Sequence, residues 1–220
     1  MRDKLTKSEL SDQVRLYQEA FALHGDSPSA VLWPRGRQPL RFEALTRHFC
    51  GSGFSVLDYG CGLAHLKDYL DERFSEYSYV GVDAVPDFVK AVKKKHPDAL
   101  VYQVRSHFDV VEPVDHVVIS GTFNIVDGEG NRDYLVYVQE ALVHLFSICK
   151  ISLSVNFMTD KVDYRQPRSH HVNVEAMYQF VRDHLSPRLV LDQSYMPYEF
   201  NIVAFRTRNI VRPENVYEAI

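Results

Sequence analysis

The sequence predicts an α/β fold: a three-layer sandwich in which helices cover both faces of a seven-stranded, mostly parallel sheet. Short apolar segments alternate with amphipathic segments, the pattern of strands joined by crossover helices. Two apolar segments end in an acid, Phe54–Asp58 and Tyr77–Asp83, and two glycines one residue apart follow the first. The last two predicted strands, Leu189–Leu191 and Asn201–Phe205, lie too close in the chain for a helical crossover, so we expect a C-terminal antiparallel hairpin.

The composition is that of one globular domain with a sizeable core. The chain has 220 residues, of which 45% are hydrophobic and 25% charged. Its formal net charge of -4 gives no general attraction to nucleic acid or to anionic membranes, and we expect neither as a partner. Cys50, Cys61 and Cys149 are too widely spaced for a disulfide framework or a metal-ligand motif. With no signal segment and no run of transmembrane length, the sequence predicts a cytoplasmic monomer or homodimer.

Two helices are predicted before the first strand. Apolar residues at helical spacing indicate a first helix from Ser8 to His24 and a second from Leu40 to Phe49. The glycines in Cys50–Gly53 separate the second helix from the first strand. We expect three segments along the chain: a helical lid at residues 1–52, a ligand-binding core at residues 53–206 and a polar tail at residues 207–220.

Within the core, strands and helices alternate. The middle strands are short runs rich in β-branched residues: Ala99–Val104, His116–Ser120 and Ile151–Phe157. The unbroken Val-Val-Ile run of the second of these predicts a strand that is buried on both faces. The helices follow the glycine turn and the second, fourth and fifth strands: Ala64–Phe74, Pro86–His96, Asn131–Phe146 and Asn173–His184.

The acids and glycines fall where a parallel sheet binds ligands, at the carboxyl ends of its strands. Gly60 and Gly62 allow a sharp turn and close approach of a ligand, and Asp83 is placed to bind a ribose. A nicotinamide or flavin dinucleotide favours a glycine at the sixth position of this turn, where the chain has His65, and Asp58 would repel its pyrophosphate. The ammonium group of S-adenosylmethionine (SAM) instead favours an acid such as Asp58, so the pattern favours SAM.

These segments resemble the motifs of class I SAM-dependent methyltransferases. Val56–Gly62 is similar to their first motif, Tyr79–Asp83 to their second, and Asp115–Gly121 to the motif at their fourth strand. The resemblance extends from Phe54 to Phe205 and implies a Rossmann-like fold, SAM as cofactor and S-adenosylhomocysteine (SAH) as product. The chain departs from many members at Ala64, where they have a third glycine.

The resemblance also implies a set of cofactor contacts. By position, Asp58 binds the methionine amine, Asp83 binds the ribose hydroxyls, and Ala84 or Val85 packs against the adenine. The methionine backbone is implied to contact Gly60 and Gly62. The adenine amine is implied to lie near Ser106 and His107, and the sulfur to lie between Gly121 and Phe123.

Two residues before the first strand are further candidates for the cofactor site. In class I enzymes this segment commonly closes over SAM. We hypothesise that the guanidinium group of Arg41 pairs with the SAM carboxylate and that Trp33 forms a wall of the pocket. The alternatives are a surface charge for Arg41 and a loop anchor for Trp33.

The acceptor side has no assignable catalytic base. Asn124 follows the fourth strand and is a candidate for orienting an acceptor, while His170 and His171 lie in the long connection after the fifth strand. No further ligand stands at a fixed spacing from this histidine pair, so we predict no metal site. Displacement at the sulfonium carbon needs a base only where the acceptor must lose a proton.

We expect methyl transfer to an oxygen or nitrogen of a small molecule, because the motifs typical of DNA and protein amine methylation are absent from the sequence. Two alternatives remain open from the sequence: methyl transfer to nucleic acid or protein, and SAM binding without catalysis by a regulatory or partner subunit.

Overall fold

The computed structural model describes residues 7–33, 37–126, 132–165 and 168–206. The tail predicted at residues 207–220 lies outside the described residues.

One mixed sheet forms the centre of the structure. Its strands are β1 (Phe54–Tyr59), β2 (Tyr77–Asp83), β3 (Leu100–Gln103), β4 (Val114–Ile119), β5 (Cys149–Thr159), β6 (His171–Val172), β7 (Leu189–Asp192) and β8 (Glu199–Phe205). Seven strands follow the order β3-β2-β1-β4-β5-β8-β7, and β6 pairs with β5. The pairs from β3 to β5 are parallel, whereas β8 runs antiparallel to both β5 and β7. The mostly parallel sheet with its C-terminal hairpin is therefore confirmed.

Helices cover both faces of this sheet. They are α1 (Lys7–His24), α2 (Gln38–Thr46), α3 (His65–Asp71), α4 (Pro86–Lys95), α5 (Arg132–Ser147) and α6 (Val174–His184). Val56 packs with residues of α2 and α3, while its neighbour Leu57 belongs to the core under α5 and α6. Because successive strand residues point to opposite faces, the two clusters are the two sides of a three-layer sandwich. None of the helices in the described part of the chain is long and apolar enough to span a membrane.

The order of the strands reverses beside β1. The chain moves outward from β1 to β2 and β3, then returns to place β4 on the other side of β1. The helices that follow β1 and β4 leave on opposite faces, which opens a crevice at the carboxyl ends of these two strands. The fold therefore places the glycine turn and the end of β4 at one crevice.

Two short elements were not predicted. The strand β6 pairs with Met158 and Thr159 of β5, beyond the point where β4 ends. A 3-10 helix, His107–Asp109, begins at Ser106, whose hydroxyl accepts a hydrogen bond from the Phe108 amide. Both elements have three residues or fewer, too few for a hydrophobic period to show in the sequence.

Two histidines, half-buried His48 just after α2 and buried His116 in β4, join this segment to the sheet and make the fold sensitive to acid. The Ser152 hydroxyl lies 2.7 Å from His116 Nδ1 and 2.6 Å from His48 Nε2, and the His116 ring stacks on Phe49. Burial lowers the pKa of His48 and of His116 from 6.5 to about 4. At pH 5 both histidines are therefore mostly protonated in the unfolded chain and mostly neutral in the folded chain.

We expect the free energy of unfolding to fall as the pH drops from 6.5 towards 4. A histidine with a lowered pKa contributes stability that is complete above pH 6.5 and is lost as the pH falls through 4, and each of the two should lose about 2 kcal/mol between pH 7 and pH 5. Urea denaturation at pH 7 and pH 5 should show a smaller loss in His116→Gln than in the wild type. His24→Gln, at the exposed end of α1, is the matched control, and an equal loss in both variants would contradict the prediction.

Candidate functional site

A cavity of about 490 Å³ lies at the carboxyl ends of β1, β2 and β4. Asp58, Gly60 and Asp83 line it from the sheet, and residues of α1 and of the segment 31–33 line it from the opposite side. Its size and its position in the crevice are those of a small-molecule site.

Asp83 ties the glycine turn to the end of β2. Its carboxylate accepts hydrogen bonds from the backbone amides of Gly62 and Val85, each at 2.8 Å. Burial raises the pKa of Asp83 to about 6, although the amides of Val85, Gly62 and Ala84 oppose the rise by favouring the charged form. Since each carboxylate oxygen can accept a second bond, the group can still receive two ribose hydroxyls.

Asp58 is the more deeply buried acid, with 1% of its surface exposed. The Tyr79 hydroxyl donates a hydrogen bond to it at 2.8 Å. Burial raises the pKa of Asp58 to about 7, the bond from Tyr79 opposes the rise, and the charge of Asp83 adds to it. A carboxyl group with a pKa raised in this way favours the binding of a cation nearby, because the positive charge stabilises its ionised form.

The turn between the two acids is built from residues with positive φ. Gly60 has φ +76° and Gly62 has φ +54°. Ala64, at the start of α3, also lies in the left-handed region with φ 57°. This conformation costs an alanine about 1 to 2 kcal/mol relative to glycine, so the departure at Ala64 places local strain directly behind the turn.

We expect Gly60→Ala to destabilise the protein by about 3 kcal/mol and to distort the turn. A methyl group here would lie within 3.0 Å of the side chain of Thr122, whose hydroxyl donates to the Tyr59 carbonyl. Gly53→Ala is the matched control, because Gly53 has φ +74° but no neighbouring atom within 4 Å. Gly53→Ala should cost only about 1 to 2 kcal/mol in urea denaturation. Equal costs would show that the close approach to Thr122 is unimportant.

A buried ion pair forms another wall of the cavity. The Arg41 Nε lies 2.9 Å from Glu199 Oε2, and its Nη2 lies 2.5 Å from Oε1. Asn156 donates to the same carboxylate at 2.9 Å and accepts a bond from the Gly121 amide at 2.7 Å. The guanidinium group also stacks on Trp33, 4.0 Å from the ring centroid. This network joins α2, β5, β8 and the turn after β4.

The third guanidinium nitrogen of Arg41 lies beside Gly121. A methyl group on Gly121 would stand 2.8 Å from Arg41 Nη1, and Gly121 has φ +76°. Glycine at this position therefore lets the guanidinium group pass against the backbone at the end of β4.

Helix α1 is tied to both sides of the crevice. Gln13 donates to the Ile125 carbonyl at 3.1 Å, after β4, and Gln18 donates to Asp87 at 2.6 Å, at the start of α4. Between these ties, the Tyr17 ring stands edge-on to Phe88 with 5.9 Å between the centroids. The helix thus spans the crevice and covers part of the cavity.

Most residues predicted for the site line this one cavity. They are Trp33, Arg41, Asp58, Gly60, Gly62, Asp83, Ala84, Ser106, Gly121, Phe123 and Asn124. His107 does not line it, because its ring is buried against Tyr137 and His144 with centroids at 5.3 and 5.8 Å. His170 and His171 do not line it either, and their Nδ1 atoms lie 3.3 Å from the Phe123 carbonyl and 2.8 Å from the Thr159 carbonyl. Within the described ranges, no three His, Cys, Asp or Glu side chains are grouped to hold a metal ion.

Several cavity residues were missed in the sequence. They are Tyr17 from α1, Tyr59 from β1, Tyr134 and Tyr137 from α5, and Glu199 from β8. The tyrosines fit the apolar pattern of their elements, so nothing marked them as site residues. Glu199 stands at the start of the final strand, 158 residues from Arg41, and no local pattern relates the two.

Sequence comparison finds a named relative, although no protein-family model matches the chain. A Mycobacterium tuberculosis protein named "Putative methyltransferase Rv1506c" is 27% identical over 158 residues, which cover 68% of this chain and 92% of that protein.

Comparison with solved structures finds methyltransferases. A SAM-dependent methyltransferase of Leishmania major matches with a TM-score of 0.64 at 14% identity, over 90% of this chain and 82% of that one. The plantazolicin methyltransferase BpumL, solved with SAH and a triazolic desmethylPZN analog, matches with a TM-score of 0.63 at 11% identity, over 92% and 100%. At these identities the match concerns the fold, which agrees with the named relative and with the motifs on β1 and β2. The chain therefore has the Rossmann-like fold of class I SAM-dependent methyltransferases and is similar in sequence to a protein named as a methyltransferase.

Proposed function

We propose that the protein transfers the methyl group of SAM to an oxygen or nitrogen atom of a small molecule by in-line displacement. The observation that carries the proposal is the position of α1 across the cavity, where hydrogen bonds tie the helix to Ile125 on one side and to Asp87 on the other. A polymer substrate needs an open cleft that continues along the surface, whereas a metabolite fits inside an enclosed site. The compounds named with BpumL are small molecules as well.

In this proposal the chain binds each part of SAM with a separate group. Asp83 accepts the ribose hydroxyls while keeping the amides of Gly62 and Val85, and Val85 and Phe88 pack against the adenine. Asp58 binds the ammonium group. Arg41 binds the carboxylate through Nη1, the guanidinium nitrogen not used by Glu199. The acids and the guanidinium group thus match the three charged or polar parts of the cofactor.

The chemical step needs orientation more than acid–base assistance. A sulfonium ion is already reactive, so the enzyme accelerates transfer by aligning the acceptor with the methyl carbon and by excluding water. Residues 1–52 act as the lid that excludes water, and α1 is the part of this lid that spans the crevice. The aromatic rings along the cavity also favour a positive sulfonium group.

Calorimetric titration tests the proposal first. We expect binding of SAM and SAH and no binding of NAD. Incubation with SAM and a metabolite extract should then give a compound heavier by one methyl group, together with SAH, by mass spectrometry. Tight NAD binding without SAM binding would overturn the cofactor assignment. SAM binding without turnover across a broad acceptor panel would favour a regulatory subunit, and methylation of RNA, DNA or protein in a lysate would overturn the small-molecule acceptor.

The three cysteines support a reducing compartment such as the cytoplasm for this activity. Cys50 is exposed, Cys61 and Cys149 are buried, and all three are free thiols.

A further inference from the structure

Asn124 presents a buried amide that has no partner in the part of the chain that the structure describes. Its side chain lines the cavity and the residue is only 5% exposed. Neither Nδ2 nor Oδ1 has a hydrogen-bond partner among the described residues. Buried polar groups are normally hydrogen-bonded, because an unpaired one loses its bonds to water without replacement. The arrangement is therefore that of a group kept for a ligand.

The backbone around Asn124 is held in place by two loops that pair with each other. The Asn124 amide donates to the Gly121 carbonyl at 3.2 Å, and the Asn124 carbonyl accepts from the His170 amide at 2.9 Å. Ile125 forms an antiparallel bridge with Ser169. The side chain therefore projects from a fixed backbone, and a ligand need not order it on binding.

Aromatic and methionine side chains line the same cavity as this amide. Phe123 precedes it in the chain, and the Tyr134 hydroxyl donates to the carbonyl of the next residue, Ile125, at 3.1 Å. The Tyr134 ring is fixed edge-on against His170 with 4.8 Å between the centroids. Met158 and Met196 line the same cavity. Aromatic rings and methionine side chains favour a flat aromatic ligand.

The carboxylates and the imidazole described along the cavity already have partners. Asp58 binds Tyr79, Asp83 binds two backbone amides, and Glu199 binds Arg41. The His65 ring nitrogens lie 3.1 Å from Gln38 and 3.0 Å from Asp26. No carboxylate or imidazole described here is thus placed to remove a proton beside Asn124, which disfavours an acceptor that must be deprotonated before attack.

We propose that the acceptor is a neutral aromatic nitrogen heterocycle with a lactam-like edge, held by Asn124 and methylated at a second ring nitrogen. This inference rests on the proposed methyl transfer. The amide of Asn124 offers one acceptor and one donor, which match a ring N–H beside a carbonyl group. The lone pair of the second ring nitrogen attacks the methyl carbon, the N–C bond forms, and the C–S bond breaks with its electron pair remaining on sulfur. The ring N–H proton then leaves to water, and the products are neutral.

Three aromatic probes of similar size test this assignment against the SAH complex by saturation-transfer NMR. Quinazolinone has the lactam-like edge and a second ring nitrogen, isoquinolinone has the edge alone, and naphthol has neither. We expect the first two to bind more tightly than naphthol. With SAM in place of SAH, we expect only quinazolinone to yield a methylated product.

A matched pair of variants separates a role in binding from a role in folding. Asn124→Leu should weaken binding of quinazolinone at least tenfold while SAM affinity stays within twofold of the wild type. Asn201→Leu replaces another buried and unpartnered amide, one that does not line the cavity, and should leave both affinities unchanged.

The outcomes distinguish a failure of the acceptor class from a failure of the proposed function. Equal binding of quinazolinone to Asn124→Leu and the wild type, or tighter binding of naphthol, would overturn the acceptor class while SAM binding upholds the proposed function. Failure of the wild type to bind SAM would overturn both.

Discussion

Asp58→Asn is expected to weaken SAM binding strongly and, in the same variant, to stabilise the ligand-free protein at alkaline pH. Burial is the main reason that the pKa of Asp58 rises from 3.8 to about 7, with the bond from Tyr79 opposing it. A carboxyl group with a raised pKa contributes stability that is complete below 3.8 and is lost as the pH rises through 7. At pH 8 this loss amounts to about 4 kcal/mol. Asparagine avoids it and can still accept the Tyr79 hydrogen bond.

Urea denaturation of the ligand-free protein at pH 5 and pH 8 measures this effect. The free energy of unfolding of Asp58→Asn should exceed that of the wild type by a large amount at pH 8 and by a small amount at pH 5. Asp115→Asn is a control in which the effect on stability should be opposite. Burial acts to raise the pKa of Asp115, but hydrogen bonds from the hydroxyl and amide of Ser55 hold this pKa below its usual value. Asp115→Asn should therefore lose stability at pH 8. A loss in both variants would show that Asp58 is a structural acid.

The same group makes SAM binding depend on pH. If Asp58 binds the ammonium group, binding favours the ionised carboxylate and releases a proton wherever the free protein holds one. With a pKa of about 7, the Kd for SAM should be about tenfold weaker at pH 6 than at pH 8. Asp58→Asn should weaken binding about 100-fold or more at pH 8, because a buried charge-assisted bond contributes about 3 kcal/mol. Calorimetry in two buffers of different ionisation enthalpy counts the released protons, and zero protons at pH 7 would contradict the role.

The parts of the site that could be predicted are those whose residues lie in neighbouring segments, each with a clear sequence pattern of its own. Asp58, the glycine turn and Asp83 belong to two strands that are adjacent in the chain, and each strand shows its own apolar run. Because parallel strands bring their carboxyl ends to one edge, knowing the strands was enough to place these residues together. The hairpin of β7 and β8 was predictable for the same reason, since the connection is too short for a crossover.

The parts that could not be predicted depend on contacts between distant segments. Glu199 became a site residue through Arg41, and Asn124 became a fixed, partnerless amide through the pairing of its loop with residues 168–170. His107 lies outside the cavity, because a 3-10 helix capped by Ser106 turns its ring towards α5. In each case the residue type was visible in the sequence, whereas its partner was not.

Glu199→Gln is expected to destabilise the ligand-free protein by about 3 kcal/mol or more and to bind SAM more tightly. The substitution leaves the Arg41 guanidinium group buried without its counter-charge, and breaking a buried ion pair in this way typically costs about 3 to 5 kcal/mol. In the proposed complex the SAM carboxylate supplies a replacement for that charge. The Kd for SAM should therefore fall about tenfold, equivalent to about 1.4 kcal/mol.

Two further variants distinguish a ligand role for Arg41 from a structural one. Arg47→Gln breaks the ion pair with Asp192, in which the Arg47 side chain is 47% exposed, and should change stability by less than about 1 kcal/mol with no change in SAM affinity. The double variant Arg41→Gln/Glu199→Gln removes both buried charges, so it should recover part of the lost stability while losing the gain in SAM affinity. If the double variant keeps that gain, Glu199 acts by repelling the SAM carboxylate and Arg41 serves only to hold α2 against β8. If the gain disappears with Arg41, the guanidinium group itself binds the ligand, because both variants lack Glu199 and differ only in that group.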